Sequence, residues 1–347
     1  MTKSTKVDDV NSFEDTLSRV LNLLDSDEQQ FIYLTGAAGT GKTTLIEKVL
    51  EENNLKKIVV APTGVAALNI GGSTINSAFR IGFDTFPVIQ ESNDPRFKKL
   101  LKKLELLIID EISMVRAPML DAISETLKLY RNNDEPFGGV HVLACGDLFQ
   151  LPPVVKDNEV NAIDEKYESV YFFSSNSFKE IKNPSFFELT YSFRQSEDEN
   201  FYSLLNNIRL GENLEESINQ INRACFNPDF DNESSLIITT RKYRAEQINE
   251  EMLNFIEGPA TSAKSEEFGE FNENDLPAPR NLRIKKGAKV MFIKNDSEGR
   301  WVNGTIGEVT NCSDKKGRFL RVQVGDDIHK VKREEWNKIK YVYDEYN

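Results

Sequence analysis

The chain has 347 residues, enough for two domains, and its 39% hydrophobic and 29% charged residues are typical of a soluble globular protein. No apolar run is long enough to cross a membrane, and the N-terminus lacks the apolar segment of a secretory signal. Three widely spaced cysteines and two histidines favour neither a disulfide framework nor a zinc site, so we expect a cytoplasmic protein. The net charge of −13 does not exclude nucleic acid, because basic residues outnumber acidic ones within residues 281–347.

Residues 31–50 contain the most specific pattern of the chain. An apolar run at 31–35 predicts a strand, residues 45–50 predict a helix, and a glycine-rich segment joins them. The backbone N–H groups of such a loop, with the helix N-terminus, bind phosphates, while Lys42 would reach the transferable phosphate and the Thr43 hydroxyl would ligate Mg²⁺. We therefore predict that the chain binds ATP and Mg²⁺. The expected nucleotide-binding residues are Gly36, Ala37, Ala38, Gly39, Thr40, Gly41, Lys42, Thr43 and Thr44.

The first half alternates β-branched runs with helical patterns, which predicts an α/β fold with a parallel sheet. The predicted strands are 31–35, 57–61, 106–110, 140–146 and 186–190. A further strand at 235–240, between helical patterns at 200–210 and 243–256, indicates a second α/β domain. Residues 257–281 read as a linker, and short strands at 289–293, 304–309 and 319–324 favour a small β-barrel.

These patterns predict four segments. They are a P-loop ATPase domain at 1–185 with a small insertion near 76–100, a partial second domain at 186–256, the linker 257–281, and a partial barrel at 282–347.

The predicted strand at 106–110 ends in two carboxylates, Asp110 and Glu111. On its own such an ending is common and means little. With a P-loop in the same chain, Asp110 is expected to hold the metal and Glu111 to polarise the attacking water.

Further segments resemble, in order, the motifs of superfamily 1 DNA helicases, specifically the Pif-type branch related to RecD-like 5′-to-3′ enzymes. The resemblance spans roughly residues 30–340, and the order of the motifs is more specific than any one of them. The matching segments are 61–67, 72–79, 110–114, 121–139, 146–153, 191–195, 206–211, 239–241, 287–291 and 301–307.

The resemblance implies tandem RecA-like domains, the second incomplete, and an ATP-hydrolysing helicase that acts in genome maintenance, including DNA repair and recombination. Gln150 would sense the γ-phosphate or hold water, although alone it reads as a surface glutamine. Arg194 would reach across the cleft as an arginine finger. Partners would be single-stranded DNA and forked or tailed duplex, with no membrane.

The expected DNA contacts are hydroxyls, amides and one stacking face, which suit binding without sequence preference. Phe79 is open to two readings, a base-stacking ring or a core residue. The full set is Pro62, Thr63, Gly64, Thr74, Ser77, Phe79, Thr240 and Arg241.

The sequence departs from the family pattern in three places. Residues 15–19 offer no adenine-reading glutamine, and Asn76 stands where relatives often have histidine. The chain also stops at Asn347, before the later motifs of the family. We therefore expect a chain that binds ATP and DNA, hydrolyses ATP slowly and unwinds poorly or not at all, with another chain or segment completing the second domain.

Two other functions remain open on the sequence. One is a P-loop ATPase of another class, such as a clamp loader or transporter subunit, and the other is a DNA-binding remnant without turnover. ATP hydrolysis measured with and without single-stranded DNA separates all three.

Overall fold

The computed structural model describes residues 13–82, 84–89, 91–190, 199–227, 237–268, 278–294, 296–302, 304–312 and 319–335. The chain divides into two compact units, Met1–Phe226 and Asn227–Asn347, each with its own hydrophobic core. Within the described ranges, no helix has the length and apolar character needed to cross a membrane.

A six-stranded, wholly parallel sheet forms the centre of the first unit. The spatial order is β3-β2-β4-β5-β1-β6, so β1 lies between β5 and β6. A parallel sheet needs crossover helices on its faces, and this is the arrangement that the alternating sequence pattern predicted. The strands are β1 (Phe31–Gly36), β2 (Lys57–Ala61), β3 (Ser73–Thr74), β4 (Leu106–Ile109), β5 (His141–Cys145) and β6 (Ser185–Leu189).

Side chains alternate between two cores, one on each face of this sheet. In β4, Leu107 and Ile109 pack into one core while Leu106 and Ile108 pack into the other. All four are fully buried, because helices cover both faces and the strand can be apolar throughout. The helices of the unit are α1 (Phe13–Leu24), α2 (Lys42–Glu52), α3 (Gly64–Asn69), α4 (Ile75–Phe79), α5 (Pro95–Lys103), α6 (Ala117–Arg131), α7 (Asp157–Asp164), α8 (Asn176–Lys179), α9 (Glu199–Leu210) and α10 (Leu214–Cys225).

The second unit contains one helix and two antiparallel sheets among its described residues. Helix α11 (Lys242–Phe255) is followed by the pair β7 (Thr261–Lys264) and β8 (Asn281–Ile284). A four-stranded meander follows, formed by β9 (Lys289–Met291), β10 (Ile306–Cys312), β11 (Phe319–Val324) and β12 (Asp327–Lys332). Its core includes Phe292, whose ring stacks on Trp301 with centroids 4.5 Å apart. The predicted short strands are present, and their closure into a barrel stays a prediction.

Three expected boundaries differ in the structure. The predicted start of the second domain at 186 falls inside β6, which pairs with β1 along its whole length, and α9 and α10 also belong to the first unit. The predicted linker 257–281 contains β7 and the first residue of β8. Of the strand expected at 235–240, residues 235 and 236 lie outside the described ranges, and 237–240 form no ladder with any strand described. The difference at 186 concerns which strand a segment pairs with, and local sequence does not specify that.

The segment expected to be an insertion, near 76–100, contains α4 and α5. Phe79, Phe97 and Leu101 from these helices are buried in the core on one face of the sheet. The two helices are therefore packed parts of the first unit.

Candidate active site

The predicted catalytic segments of the first unit follow its parallel strands, so they meet at one edge of the sheet. Ligands of open α/β sheets bind outside the carboxyl ends of the strands. The P-loop follows β1, Gln150 lies beyond the end of β5, and Asp110 follows β4. Strand β5 does lie beside β1, as the role suggested for Gln150 requires. Strand β4, which precedes Asp110, lies one strand further from the P-loop strand, with β5 between β4 and β1.

The P-loop curls around the ammonium group of its own lysine. Lys42 Nζ donates hydrogen bonds to the carbonyl oxygens of Gly36 (2.8 Å) and Ala37 (3.0 Å). Gly39 (φ 78°) and Gly41 (φ 91°) have left-handed backbone conformations that permit this turn, and Gly41 precedes the first residue of α2. The loop is thus folded around a positive charge at a helix N-terminus, which is the arrangement that binds a phosphate group.

Close packing at the base of the loop excludes any side chain at Gly36. A Cβ atom there would lie 2.5 Å from the carbonyl oxygen of Leu189, at the end of β6, and 2.7 Å from Thr40 Oγ1. Thr40 is itself buried and donates to the Ala37 carbonyl (2.9 Å). In contrast Ala38, Thr43 and Thr44 are exposed, so the outer side of the loop and the first turn of α2 are open to a ligand.

Asp110 and Glu111 form a half-buried pair of carboxyl groups near Lys42. Burial raises the pKa of Asp110, against the opposing charge of Lys42. Burial, followed by repulsion from Asp110, raises the pKa of Glu111. Glu111 also has a left-handed backbone (φ 52°), which is rare for a residue with a side chain and often occurs at functional sites. A carboxyl group with a raised pKa is suited to accept a proton from water.

A third carboxylate, Asp147, is ion-paired and fully buried behind Gln150. Arg209 on α9 donates two hydrogen bonds to it, Nε to Oδ2 (2.9 Å) and Nη2 to Oδ1 (3.0 Å). Gln150 Nε2 (3.1 Å) and the backbone N–H of Phe149 (3.1 Å) also donate to this carboxylate. Burial would raise the pKa of Asp147, but these bonds outweigh it and hold the pKa below its ordinary value. The carboxylate therefore fixes Gln150 and α9 relative to each other.

Sequence reasoning assigned no role to Asp147, Arg209 or Tyr33. Both charged residues lie in motifs that the sequence displays, but 62 positions separate them and nothing local pairs them. The Tyr33 hydroxyl donates to the Gly146 carbonyl (3.2 Å) beneath the same loop, and burial raises the pKa of Tyr33 to about 12. A phenol hydroxyl in a largely apolar strand was the available signal for Tyr33.

Of the residues expected to contact DNA in the first unit, Phe79 is buried and the others are half-buried or exposed. Pro62, Thr63 and Gly64 are half-buried after β2, and Thr74 caps α4 by accepting from the Ser77 N–H (3.3 Å) while Ser77 is exposed. Phe79 is 2% exposed in the core, so the base-stacking reading is wrong for it. Asn76 Nδ2 donates to the carbonyls of Ile81 (3.0 Å) and Gly82 (2.9 Å), so the amide is held by the backbone that follows α4.

The remaining predicted residues lie outside the described part of the first unit. Arg194 lies within 191–198, outside the described residues. Thr240 and Arg241 belong to the second unit, where both are exposed just before α11.

The donor set fits Mg·ATP. The P-loop offers a lysine, helix N–H groups and an exposed threonine hydroxyl. Asp110 supplies an oxygen ligand, and a nearby cation would lower its raised pKa. In the described part of the chain, no group of three or more His, Cys, Asp or Glu residues is placed to hold a metal by itself. A metal here would depend on Thr43, Asp110 and the phosphates of its ligand.

The parallel sheet with this loop at its carboxyl edge defines a P-loop nucleotide-binding protein. More particularly, the chain belongs to the PIF1-like helicase family, whose model matches residues 11–219. It is 32% identical to the ATP-dependent DNA helicase PIF1 of Candida albicans, over 90% of this chain and 37% of that protein. Identity to the human protein of that name is also 32%, over 84% of this chain and 45% of the relative. The chain thus spans less than half the length of these relatives.

The chain is also similar to solved structures of Pif1 helicases. A Bacteroides Pif1 helicase in complex with ADP-AlF3 and single-stranded DNA superposes with a TM-score of 0.82 and 34% identity, covering 97% of this chain and 77% of the other. A structure described as two coordinating Pif1 helicases at forked duplex DNA gives a TM-score of 0.81 and 35% identity, covering 94% and 77%.

Arg209→Ala should lower the free energy of unfolding of the first unit by about 3–5 kcal/mol, because it leaves the buried Asp147 carboxylate without its cation. Urea unfolding followed by far-UV circular dichroism measures this, since both tryptophans lie after residue 226 and would not report on it. Arg223→Ala on exposed α10 is the control and should change stability by less than ~0.5 kcal/mol. Equal effects of the two variants would show that the ion pair does not stabilise the unit.

Asp110→Asn should raise the Tm of the nucleotide-free protein at pH 8, and the gain should shrink as the pH falls toward 4. The folded-state pKa of Asp110 lies above the ordinary value of 3.8, so the ionised carboxylate costs stability above the folded pKa and the cost disappears below 3.8. Thermal melts across this pH range, with Asp134→Asn as an exposed control, provide the measurement. A fall in Tm at pH 8 would contradict the burial argument.

Proposed function

We propose that this chain is the ATP-driven motor portion of a DNA helicase that moves 5′ to 3′ along a single strand and couples hydrolysis to duplex unwinding. The observation that supports this best is the convergence of Lys42, the Asp110–Glu111 pair and Gln150 at one edge of the first sheet. Membership of the PIF1-like helicase family and the nucleotide and single-stranded DNA bound by the Bacteroides relative also support it.

In this proposal each residue of the edge has one task. Thr43 and Asp110 would hold Mg²⁺, which neutralises charge on the phosphates. Lys42 would exchange its bonds to the Gly36 and Ala37 carbonyls for charge-assisted bonds to phosphate oxygens. Glu111, with its raised pKa, would accept the proton of the attacking water. Gln150, fixed by Asp147, would orient that water or sense the γ-phosphate.

The remaining predicted residues would complete the motor. Arg194 would neutralise charge on the transferred phosphoryl group as an arginine finger. Thr240 and Arg241 would grip the strand together with Thr63, Thr74 and Ser77, through phosphates and sugars. Forked or tailed duplexes would be the substrates.

Glu111→Gln should keep ATP binding and remove most of the turnover, because the amide preserves the shape and loses the base. Steady-state ATPase assays with and without single-stranded DNA measure the turnover. Titration with a fluorescent ATP analogue measures the binding. Glu105→Gln is a matched control at the amino-terminal end of β4, where turnover should be unchanged. If Glu111→Gln hydrolyses ATP at the full rate, Glu111 is not the base. If single-stranded DNA does not change the rate of ATP hydrolysis, a P-loop ATPase of another class is favoured.

Thr63→Val and Arg241→Ala should each weaken single-stranded DNA binding to a similar degree for all sequences, because their targets are phosphates. Arg241→Ala should also reduce the slope of log affinity against log salt by about 1. Anisotropy titrations of labelled oligonucleotides at several salt concentrations measure both effects. Arg96→Ala, on the opposite edge of the sheet, serves as the charge-matched control. Unaltered affinity in the Thr63→Val/Arg241→Ala double variant would refute this path for the strand.

A further inference from the structure

A positively charged groove lies at the edge of the first sheet opposite the candidate active site. Helix α5 forms one wall, and Lys56 and Lys57, where β2 begins, form the other. The groove encloses about 460 Å³. Its cations are concentrated in a chain whose net charge is −13, so composition alone does not account for them.

Helix α5 has three distinct faces. Phe97 and Leu101 point into the core. Arg96, Lys99, Leu100 and Lys103 follow the i, i+3, i+4, i+7 pattern of one helical face, and all four line the groove. Lys98 and Lys102 are exposed and do not line it. The groove therefore receives a stripe of three cations with a leucine at its centre.

The groove walls are held in place without the cations of this stripe. Arg131 donates to the carbonyls of Lys102 (2.9 Å) and Leu104 (2.6 Å), which anchors the end of α5. Lys57 Nζ donates to the Leu50 carbonyl (2.8 Å) at the end of α2, and Lys56 pairs with Glu105 (3.3 Å). Arg96, Lys99 and Lys103 have no ion pair with any residue that the structure describes. Three charges thus face a preformed groove, and no described residue supplies their counter-charge.

The groove also has an apolar floor, which narrows the class of partner. Leu100 is 48% exposed among the cations, and the buried Leu104 lies beneath. A nucleic-acid backbone would satisfy the charges but has no large apolar group to cover Leu100. A peptide can place one aromatic or aliphatic side chain on the leucines while its carboxylates meet the surrounding cations.

We propose that this groove is a docking site for an acidic peptide segment of a partner protein that carries a large apolar residue among its carboxylates. The groove does not depend on the proposed ATPase, because it lies at the amino-terminal ends of the strands, away from Lys42 and Glu111. Binding there would tether the motor to another protein and leave its phosphate site free.

The test is anisotropy with a fluorescein-labelled peptide of aspartate and glutamate around one central phenylalanine, compared with the same peptide carrying serine at the centre. The wild-type chain should bind the phenylalanine peptide more tightly. Lys99→Glu/Lys103→Glu should weaken this binding roughly tenfold or more, because two attractive contacts become repulsive. Lys98→Glu/Lys102→Glu makes the same charge change on the same helix outside the groove, and should alter the affinity less than about twofold. Leu100→Ser should remove the preference for phenylalanine.

Circular dichroism and ATP turnover verify that each variant folds. The proposal is overturned if the wild type binds neither peptide, if it shows no preference for phenylalanine, or if both double variants lose affinity equally. It is also overturned if a labelled blunt duplex binds more tightly than the peptide and is lost with Lys99 and Lys103, since the partner would then be nucleic acid.

Discussion

The parallel pairing of β1 with β5 on one side and β6 on the other is the constraint on which the candidate site depends. This pairing places the start of the P-loop, the Gly146–Gln150 loop and the end of β6 side by side. The contacts leave little freedom, because a Cβ at Gly36 would strike the Leu189 carbonyl and one at Gly146 would lie 3.0 Å from the Ile112 and Ser113 N–H groups. The backbones of the loops around the candidate phosphate site therefore pack closely against one another. This packing fixes the positions of the side chains that these loops carry.

Two kinds of carboxylate environment occur at this edge, and they suit different tasks. Asp147 is enclosed by donors, so it stays ionised and positions Gln150 and α9. Asp110 and Glu111 are half-buried, and burial raises their pKa values despite the opposing charge of Lys42. A carboxylate that already accepts several hydrogen bonds suits a structural role. A carboxyl group whose pKa lies above its ordinary value is suited to accept a proton or to bind a metal ion.

Much of the first sheet could be predicted from the sequence, because each strand is a short apolar run and each is followed by polar or glycine-rich residues. Strand β2 is where it was predicted, and β1, β4, β5 and β6 differ by about one residue at their ends. The order of the strands could not be predicted, since a run of apolar residues does not encode its neighbour. For the same reason the predicted domain boundary at 186 falls inside β6, which pairs with β1 in the first unit. The Asp147–Arg209 pair was missed because it joins segments that only the folded chain brings together.

The basic groove and the candidate DNA path lie at opposite ends of one strand. Strand β2 begins at Lys57, on the groove, and ends at Ala61, directly before Pro62 and Thr63. Five residues of strand span about 16 Å, so the two surfaces are close but not in contact. A partner in the groove could alter DNA binding only if β2 had two arrangements of different affinity for that partner. Val60 and Ala61 are fully buried, and β2 is paired with β4 and with β3, so a single arrangement is expected. Under the two proposals, a partner bound in the groove is therefore expected to leave the candidate DNA path unchanged.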